Sequence, residues 1–451
     1  MALVRTPLST NMPFGLKNYL HRRQYPERYR MLEELLRNQA SDRENIVNNQ
    51  DIAIKSIIQH ACNNTPYYAQ KYAQYLTGHI PDLHIGKLPI LCKDEVVQHR
   101  DEMLMRSIDK RSVSIGNTGG STGKPVSFYY DRHKHELMRA GMCRSYMWSG
   151  WKPGQKILNF WGARQDIPQG NCLSKKYQDY IAAEKTILAY GYTEAQLNAW
   201  AKFIQNWKPV LLQGYASILA ELARYIIDNQ LAMPASILGV YSTAEVLNDW
   251  QRKLMEQAFN CKVYNQYGSR EIPNIACECS HGNQHVFTDM VYLESHQINN
   301  EERLIVTSLT NRTMPFIRYD IGDSGRLKEG VCPCGSPFPM MEMGMCRSND
   351  LIKTSDGKSL HPSSFNRLLY GKTWIRQYQY IQTELDKITL NIVSHGQFAA
   401  EEINALKESM RKEVDANMSL EVNQVDEIRR SISGKHRFVI CNLPSITHGK
   451  S

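Results

Sequence analysis

Val210-Leu211-Leu212-Gln213-Gly214-Tyr215-Ala216-Ser217 is an apolar run that gives way to small and polar residues. Three consecutive apolar residues followed by turn formers read as a short strand buried on both faces. Residues 217–229 then take up helical periodicity. Upstream, Thr193-Glu194-Ala195-Gln196 has the capping-box pattern, and Leu197, Trp200, Ala201, Ile204 and Trp207 share one helical face. Downstream, 237–241 reads as a strand, 248–259 as a helix and 262–267 as a strand. This alternation predicts an α/β fold with a mostly parallel sheet covered by helices on both faces. Ligands bind such sheets at the carboxyl ends of the strands. Ser242-Thr243-Ala244-Glu245 and Gly268-Ser269-Arg270-Glu271 follow strand ends, so both are expected to face a ligand crevice.

The flanks differ. Residues 49–62 read as a helix ended by Asn63-Asn64-Thr65-Pro66. Near the C-terminus, 377–382 and 388–393 read as strands, 400–417 as a helix and 420–425 as a strand. That pattern predicts a small mobile α+β domain. The polar stretch Arg347-Ser348-Asn349-Asp350 marks the boundary, giving a large domain over 1–349 and a small one over 350–451. The segment 1–49 is basic and aromatic, with Tyr19, Arg22, Arg23, Tyr25, Arg28, Tyr29 and Arg30. It reads either as a partner surface or as a cap on the fold.

Composition narrows the function. The chain has 451 residues, 42% of them hydrophobic, and a net charge of +9 from 54 basic and 45 acidic side chains. That mild excess suits a small anionic substrate. No basic stripe with interleaved aromatics points to nucleic acid, and no apolar stretch is long enough to span a bilayer. The first 20 residues lack a signal-peptide core. A cytoplasmic protein is therefore expected. Its 11 cysteines are an odd number and mostly scattered, which argues against a disulfide framework.

The run Asn117-Thr118-Gly119-Gly120-Ser121-Thr122-Gly123-Lys124-Pro125 has the chemistry of a phosphate cradle. Glycines let the backbone approach a ligand, hydroxyls donate hydrogen bonds and Lys124 adds charge. It is not a Walker loop: Thr118 stands where the first glycine belongs, and Pro125 follows the lysine.

Four more motifs follow in order: Tyr267-Gly268-Ser269-Arg270-Glu271, Arg318-Tyr319-Asp320-Ile321-Gly322-Asp323, Arg347-Ser348-Asn349-Asp350 and Ser433-Gly434-Lys435-His436-Arg437. With the glycine-rich run, their spacing resembles the adenylate-forming superfamily of acyl-CoA ligases, adenylation domains and luciferases. The phenylacetate–CoA ligase branch and its CapK-like members resemble it most. The resemblance covers roughly residues 50–440. It implies an ATP-dependent ligase that activates a carboxylic acid as acyl-AMP and passes the acyl group to a thiol such as CoA. A carrier-protein thiol, or the amine of an amino acid or amino sugar, is an alternative acceptor. A non-catalytic scaffold of the same fold is a reading from a different class.

The resemblance also implies residue roles. Residues Thr118 to Lys124 would hold the ATP phosphates, with Thr122 among the catalytic donors. Tyr267, flanked by Gly268 and Ser269, would stack on adenine, beside a turn formed by Ala244 and Glu245. Glu271 would bind Mg²⁺. Asp323 would bind the ribose hydroxyls and Arg347 the ribose or phosphate. Asp350 would be the hinge, and Lys435 would stabilise charge at the carboxylate and α-phosphate. Arg318 either joins the site or pairs with Asp320 or Asp323.

The acid pocket is expected near Trp161, Tyr215 and Ser242, with the two aromatics suggesting a flat acid. Three thiolates and one imidazole make a structural zinc site. Cys279, His285, Cys332 and Cys334 are the expected ligands, an arrangement that members of the phenylacetate–CoA ligase branch resemble. Cys277 or His281 could replace one of them, and metal-free buried cysteines are the other reading.

Overall fold

The computed structural model describes residues 14–75, 84–118, 126–161, 183–189, 192–298, 301–347, 352–355, 359–360, 365, 368–369, 372, 374–394, 396, 399–429 and 437–443. A two-stranded hairpin, β1 (Ser114–Asn117) and β2 (Ser127–Tyr130), precedes the main sheet. The sheet's strands are β3 (Ile157–Trp161), β4 (Glu184–Leu188), β5 (Leu211–Tyr215), β6 (Gly239–Thr243), β7 (Lys262–Tyr267), β8 (Ala276–Glu278), β9 (Gln284–Val286), β10 (Val291–Ile298), β11 (Glu301–Ser308), β12 (Tyr319–Lys328) and β13 (Met340–Arg347). Their order is β10-β11-β12-β13-β9-β8-β7-β6-β5-β3-β4.

From β4 to β7 every pairing is parallel. Helices Glu194–Trp207, Ala216–Asp228 and Asp249–Phe259 connect these strands. From β7 to β10 every pairing is antiparallel. The mostly parallel sheet expected from sequence is thus confined to one half. Beyond Tyr267 the connections are too short to carry crossover helices, and short connections join antiparallel strands.

Alternation along the strands builds two cores. Leu211 and Tyr241 face a core shared with the N-terminal helices, whereas Leu212 and Val240 face one formed by the crossover helices. Leu197, Trp200, Ala201 and Ile204 are buried there, and Gln196 closes the expected capping box by accepting from the Thr193 amide at 2.8 Å.

The N-terminal segment caps the fold. Helix Pro26–Gln39 packs on helix Arg132–Met147. Arg28 there pairs with buried Glu136 at 2.8 Å, and Arg144 donates to Asp289 and to the Leu35 carbonyl.

The C-terminal part begins with a two-stranded pairing of β14 (Ile352–Lys353) and β15 (Ser359–Leu360). A four-stranded sheet follows, built from β16 (Ile375–Glu384), β17 (Lys387–Ser394), β18 (Ser419–Gln424) and β19 (Val439–Cys441), in the order β18-β17-β16-β19. Helix Ala400–Glu413 crosses from β17 to β18, which pair in parallel. This α+β unit has its own core of Tyr380, Leu390, Ile392, Leu406 and Met410. Among the described residues, no helix is long and apolar enough to cross a membrane.

Candidate active site

A cavity of about 730 Å³ opens at the carboxyl ends of the parallel strands. Trp161, Tyr215, Thr243 and Tyr267 end β3, β5, β6 and β7, and all four line it. The β1–β2 hairpin supplies Gly116, Asn117, Phe128 and Tyr130, and helix Arg132–Met147 supplies Lys134, Met138, Arg139 and Met142. Trp161 and Tyr215 meet edge to face with centroids 5.3 Å apart.

Hydrogen bonds fix the base of the glycine-rich loop. The Thr118 amide donates to the Val126 carbonyl, and its hydroxyl oxygen accepts from the Val126 amide, both at 2.8 Å. Arg270 donates to the Asn117 carbonyl at 2.6 Å and ties the hairpin to the turn after β7. The Ser269 hydroxyl accepts from the Ile272 amide at 3.0 Å and shapes that turn.

Asp323 lies on β12, far along the chain, yet the Tyr267 hydroxyl donates to its carboxylate at 3.1 Å. Two residues 56 apart in sequence thus meet, Tyr267 on the cavity wall and Asp323 behind its hydroxyl. Asp323 also pairs in register with the Arg347 backbone.

Ala244 lines the cavity with φ at +68°. A residue with a Cβ in the left-handed region stores strain, and such residues cluster at binding sites. The neighbouring Glu245 carboxylate accepts from the Ser217 amide at 2.8 Å. It accepts from a backbone amide at a helix N-terminus, where negative charge is favourable.

Glu271 is buried, and its carboxylate accepts from the Tyr319 hydroxyl at 3.3 Å. The Lys134 ammonium donates to the Glu271 carbonyl at 2.9 Å, and burial pushes the Lys134 amine down to about 8. Deeper in, Arg139 pairs with Glu184, and Asn159 donates to Glu184 at 2.8 Å.

Several sequence expectations are placed differently. Ser242 is fully buried within β6 and does not line the cavity, because strand alternation turns Thr243 towards it instead. Tyr241 and Tyr264 stack in the core at 4.9 Å. Arg318 pairs with neither Asp320 nor Asp323. It makes a two-pronged contact with Glu294 at 3.0 and 3.1 Å and donates to the Gly86 and Leu88 carbonyls. Asp320 pairs with Arg303 at 2.9 Å. Gly119, Gly120, Ser121, Thr122, Gly123, Lys124, Asp350 and Lys435 lie outside the described residues.

Lys134, Arg139, Asn159 and Glu184 escaped the sequence reading. Helix Arg132–Met147 buries Lys134, Glu136 and Arg144 alongside Ala140 and Tyr146, so it shows no apolar stripe to mark its inner face.

The cysteine cluster stands apart from the cavity. Cys279 Sγ, His285, Cys332 Sγ and Cys334 Sγ offer ligand atoms that all lie within 4.8 Å of one another. Cys277 is buried elsewhere, and exposed His281 is not part of the group. The Cys279 and Cys332 sulfurs are 3.7 Å apart. A tetrahedron with Zn–S bonds of about 2.3 Å has edges of about 3.8 Å, so the spacing fits. His285 Nδ1 donates to the Phe338 carbonyl at 2.9 Å, which turns Nε2 towards the thiols, 3.3 Å from Cys334. The amides of His281 and Ser336 each donate to a ligand sulfur at 3.4 Å. Gly282 and Gly335, with φ of +78° and +76°, let the chain curl around Cys279 and Cys332.

Residues 352–442 match the family model of the CapK C-terminal domain. Over 367 residues the chain is 27% identical to the protein CapK of Staphylococcus aureus, covering 80% of this chain and 81% of that one. Over 342 residues it is 23% identical to a phenylacetate-coenzyme A ligase of Thermus thermophilus, covering 71% and 74%. The chain is thus similar to the CapK and phenylacetate–CoA ligase branch of the adenylate-forming superfamily. The fold of the chain is also that of 2-hydroxyisobutyryl-CoA ligase solved with 2-HIB-AMP, with a TM-score of 0.69, 16% identity, and 87% and 88% of the two chains covered.

Proposed function

We propose that the protein is an ATP-dependent, AMP-forming ligase that activates a carboxylic acid and passes the acyl group to coenzyme A. The hydrogen bond between Tyr267, which lines the cavity, and Asp323 supports this reading most strongly. An aromatic ring and a carboxylate side by side suit the base and the ribose of one nucleotide. The strand ends beyond them leave room for an acid. The relatives named as CoA ligases support coenzyme A as the acceptor.

In this reading the carboxylate attacks the α-phosphorus, forming acyl-AMP and releasing pyrophosphate. Tyr267 stacks on adenine beside Ala244, and Asp323 accepts from the ribose hydroxyls. Residues 118–124 bind the phosphates, and Arg347 contacts ribose or phosphate. Bound Mg²⁺ would supply charge neutralisation on the phosphates, with the Glu271 carboxylate as the residue to hold it. Lys435, carried by a small domain over 350–451 that turns about Asp350, stabilises the charge that develops during adenylation. Closure of that domain keeps water from the acyl-AMP. Cys279, His285, Cys332 and Cys334 hold one structural zinc, a closed set with no open position for catalysis.

ATP–pyrophosphate exchange across aryl, aliphatic, hydroxy and amino acids tests the reading. Exchange with one acid class, followed by CoA-dependent thioester formation, is the expected result. Acyl transfer to an amine or a carrier protein instead would replace the acceptor. No exchange together with no ATP binding would leave a scaffold.

Asp323→Ala is expected to weaken ATP binding by about 10- to 100-fold, since hydrogen bonds to a charged group contribute about 1.5–3 kcal/mol. Calorimetric titration measures it. An unchanged affinity would remove Asp323 from the ribose site.

A further inference from the structure

Lys134 is 4% exposed, yet it lines the cavity. Its ammonium has three donors, and its only hydrogen bond among the described residues runs to the Glu271 carbonyl at 2.9 Å. Among those residues no carboxylate forms an ion pair with it. Glu271 and Asp131 act on it only at longer range. The rings of Phe128 and Tyr130 hold it from one side, with centroids 4.7 and 5.4 Å away. Their faces favour a cation but do not replace a counter-ion.

A buried charge without a partner is expensive. The neighbouring Arg139 and Arg28 are each neutralised by a glutamate, so the fold supplies counter-ions where it needs them. Among the described residues, Lys134 keeps two donors and its charge unmatched beside a cavity. It stands between the β1–β2 hairpin, which carries the glycine-rich loop, and the turn ending at Glu271.

We propose that Lys134 is an anion-binding residue of the large domain, and that its partner is a phosphate oxygen of ATP. The inference rests on the ligase reading above and adds a cation that none of the sequence motifs contains. The hairpin's place beside Lys134 favours a phosphate over the carboxylate of the acid. Because Lys134 belongs to a helix packed in the large domain, its charge is in place before the small domain closes. It binds and orients the nucleotide, whereas Lys435 acts on the developing charge.

The test uses the full-length chain and Lys134→Met, which keeps the length and the contact with Phe128 and Tyr130 without the charge. Mg-ATP, AMP and the acid identified by exchange are titrated separately. Mg-ATP affinity is expected to fall by about 10- to 100-fold, the range for a charge-assisted hydrogen bond, while AMP affinity falls far less. The nucleotide-free variant is expected to melt above the wild type, because an unpaired buried charge has been removed. A purely structural lysine would give the opposite shift.

A variant that melts lower, or that binds Mg-ATP as tightly as the wild type, overturns the inference while leaving the ligase reading intact. An unchanged Mg-ATP affinity with a raised KM for the acid would move the contact to the substrate carboxylate and overturn the phosphate assignment. A wild type that binds no ATP overturns the ligase reading and this inference with it.

Discussion

Cys332→Ser is expected to remove zinc from the purified protein and to cost about 4 kcal/mol or more of stability, the range in which loss of a metal belongs. The reason lies in where the cluster sits. Cys279 follows β8, His285 is in β9, and Cys332 and Cys334 lie in the loop before β13. Strands β8, β9 and β13 are the seam between the parallel and antiparallel halves of the sheet. Only short pairings hold that seam: β8 pairs with β9 over three residues, and β9 with β13 through two. A metal held by these four ligands would close it far more firmly than those ladders can. The seam also sets the position of Tyr267 in β7 relative to Asp323 in β12. Removing the metal with a chelator should therefore weaken ATP binding as well as lower the melting temperature. Elemental analysis giving close to one zinc per chain, lost in Cys332→Ser, is the expected result. Wild-type protein with no metal and unchanged melting in the variant would retire the site. His285→Ala should behave alike, because it removes the nitrogen donor and strands the Phe338 carbonyl that positions it.

Lys435→Ala is expected to lower the rate of acid adenylation by about 10²–10³-fold, the cost of losing one preorganised group at a developing charge. Use of preformed acyl-AMP should be nearly unaffected, because in the proposed mechanism the small domain would turn between the steps and carry Lys435 away before acyl transfer. Single-turnover measurement of each half-reaction separates the two. Equal loss in both would sink the domain-rotation assignment. This prediction also contrasts with the one for Lys134: a Lys435 variant should bind Mg-ATP almost normally and fail in chemistry, whereas a Lys134 variant should fail in binding.

Much of the candidate site was legible because the residues proposed to hold a nucleotide sit in short contiguous runs. Tyr267-Gly268-Ser269-Arg270-Glu271 lies where a strand ends, and the structure puts Tyr267, Gly268, Ser269 and Arg270 on the cavity. The four zinc-ligand candidates were also readable, since paired cysteines with a nearby histidine have few structural uses outside metal sites. Arg318 was not readable. Its partner Glu294 is on β10, and its carbonyl acceptors Gly86 and Leu88 lie more than 200 residues away. The nearer Asp320 and Asp323 looked the natural partners until Arg303 and Tyr267 claimed them. Ser242 failed for a smaller reason. A one-residue change along a strand reverses the face, and nothing in the local sequence fixes which of Ser242 and Thr243 points to the cavity.

The sequence by itself determined the α/β character of residues 193–267, the α+β unit at the C-terminus and the order of the motifs. Each of these depends on periodicity, end signals and turn chemistry within a window of some 20 residues. Only the tertiary structure decided that the sheet changes from parallel to antiparallel after β7, that the cysteine cluster spans that change, and that a buried lysine faces the cavity without a counter-ion among the described residues. Those outcomes depend on which distant segments share one space. A lysine in the run Arg132-His133-Lys134-His135-Glu136 looks like any solvated charge. Packing the hairpin, the turn after β7 and one helix face around it is what strips away its water and gives it a use.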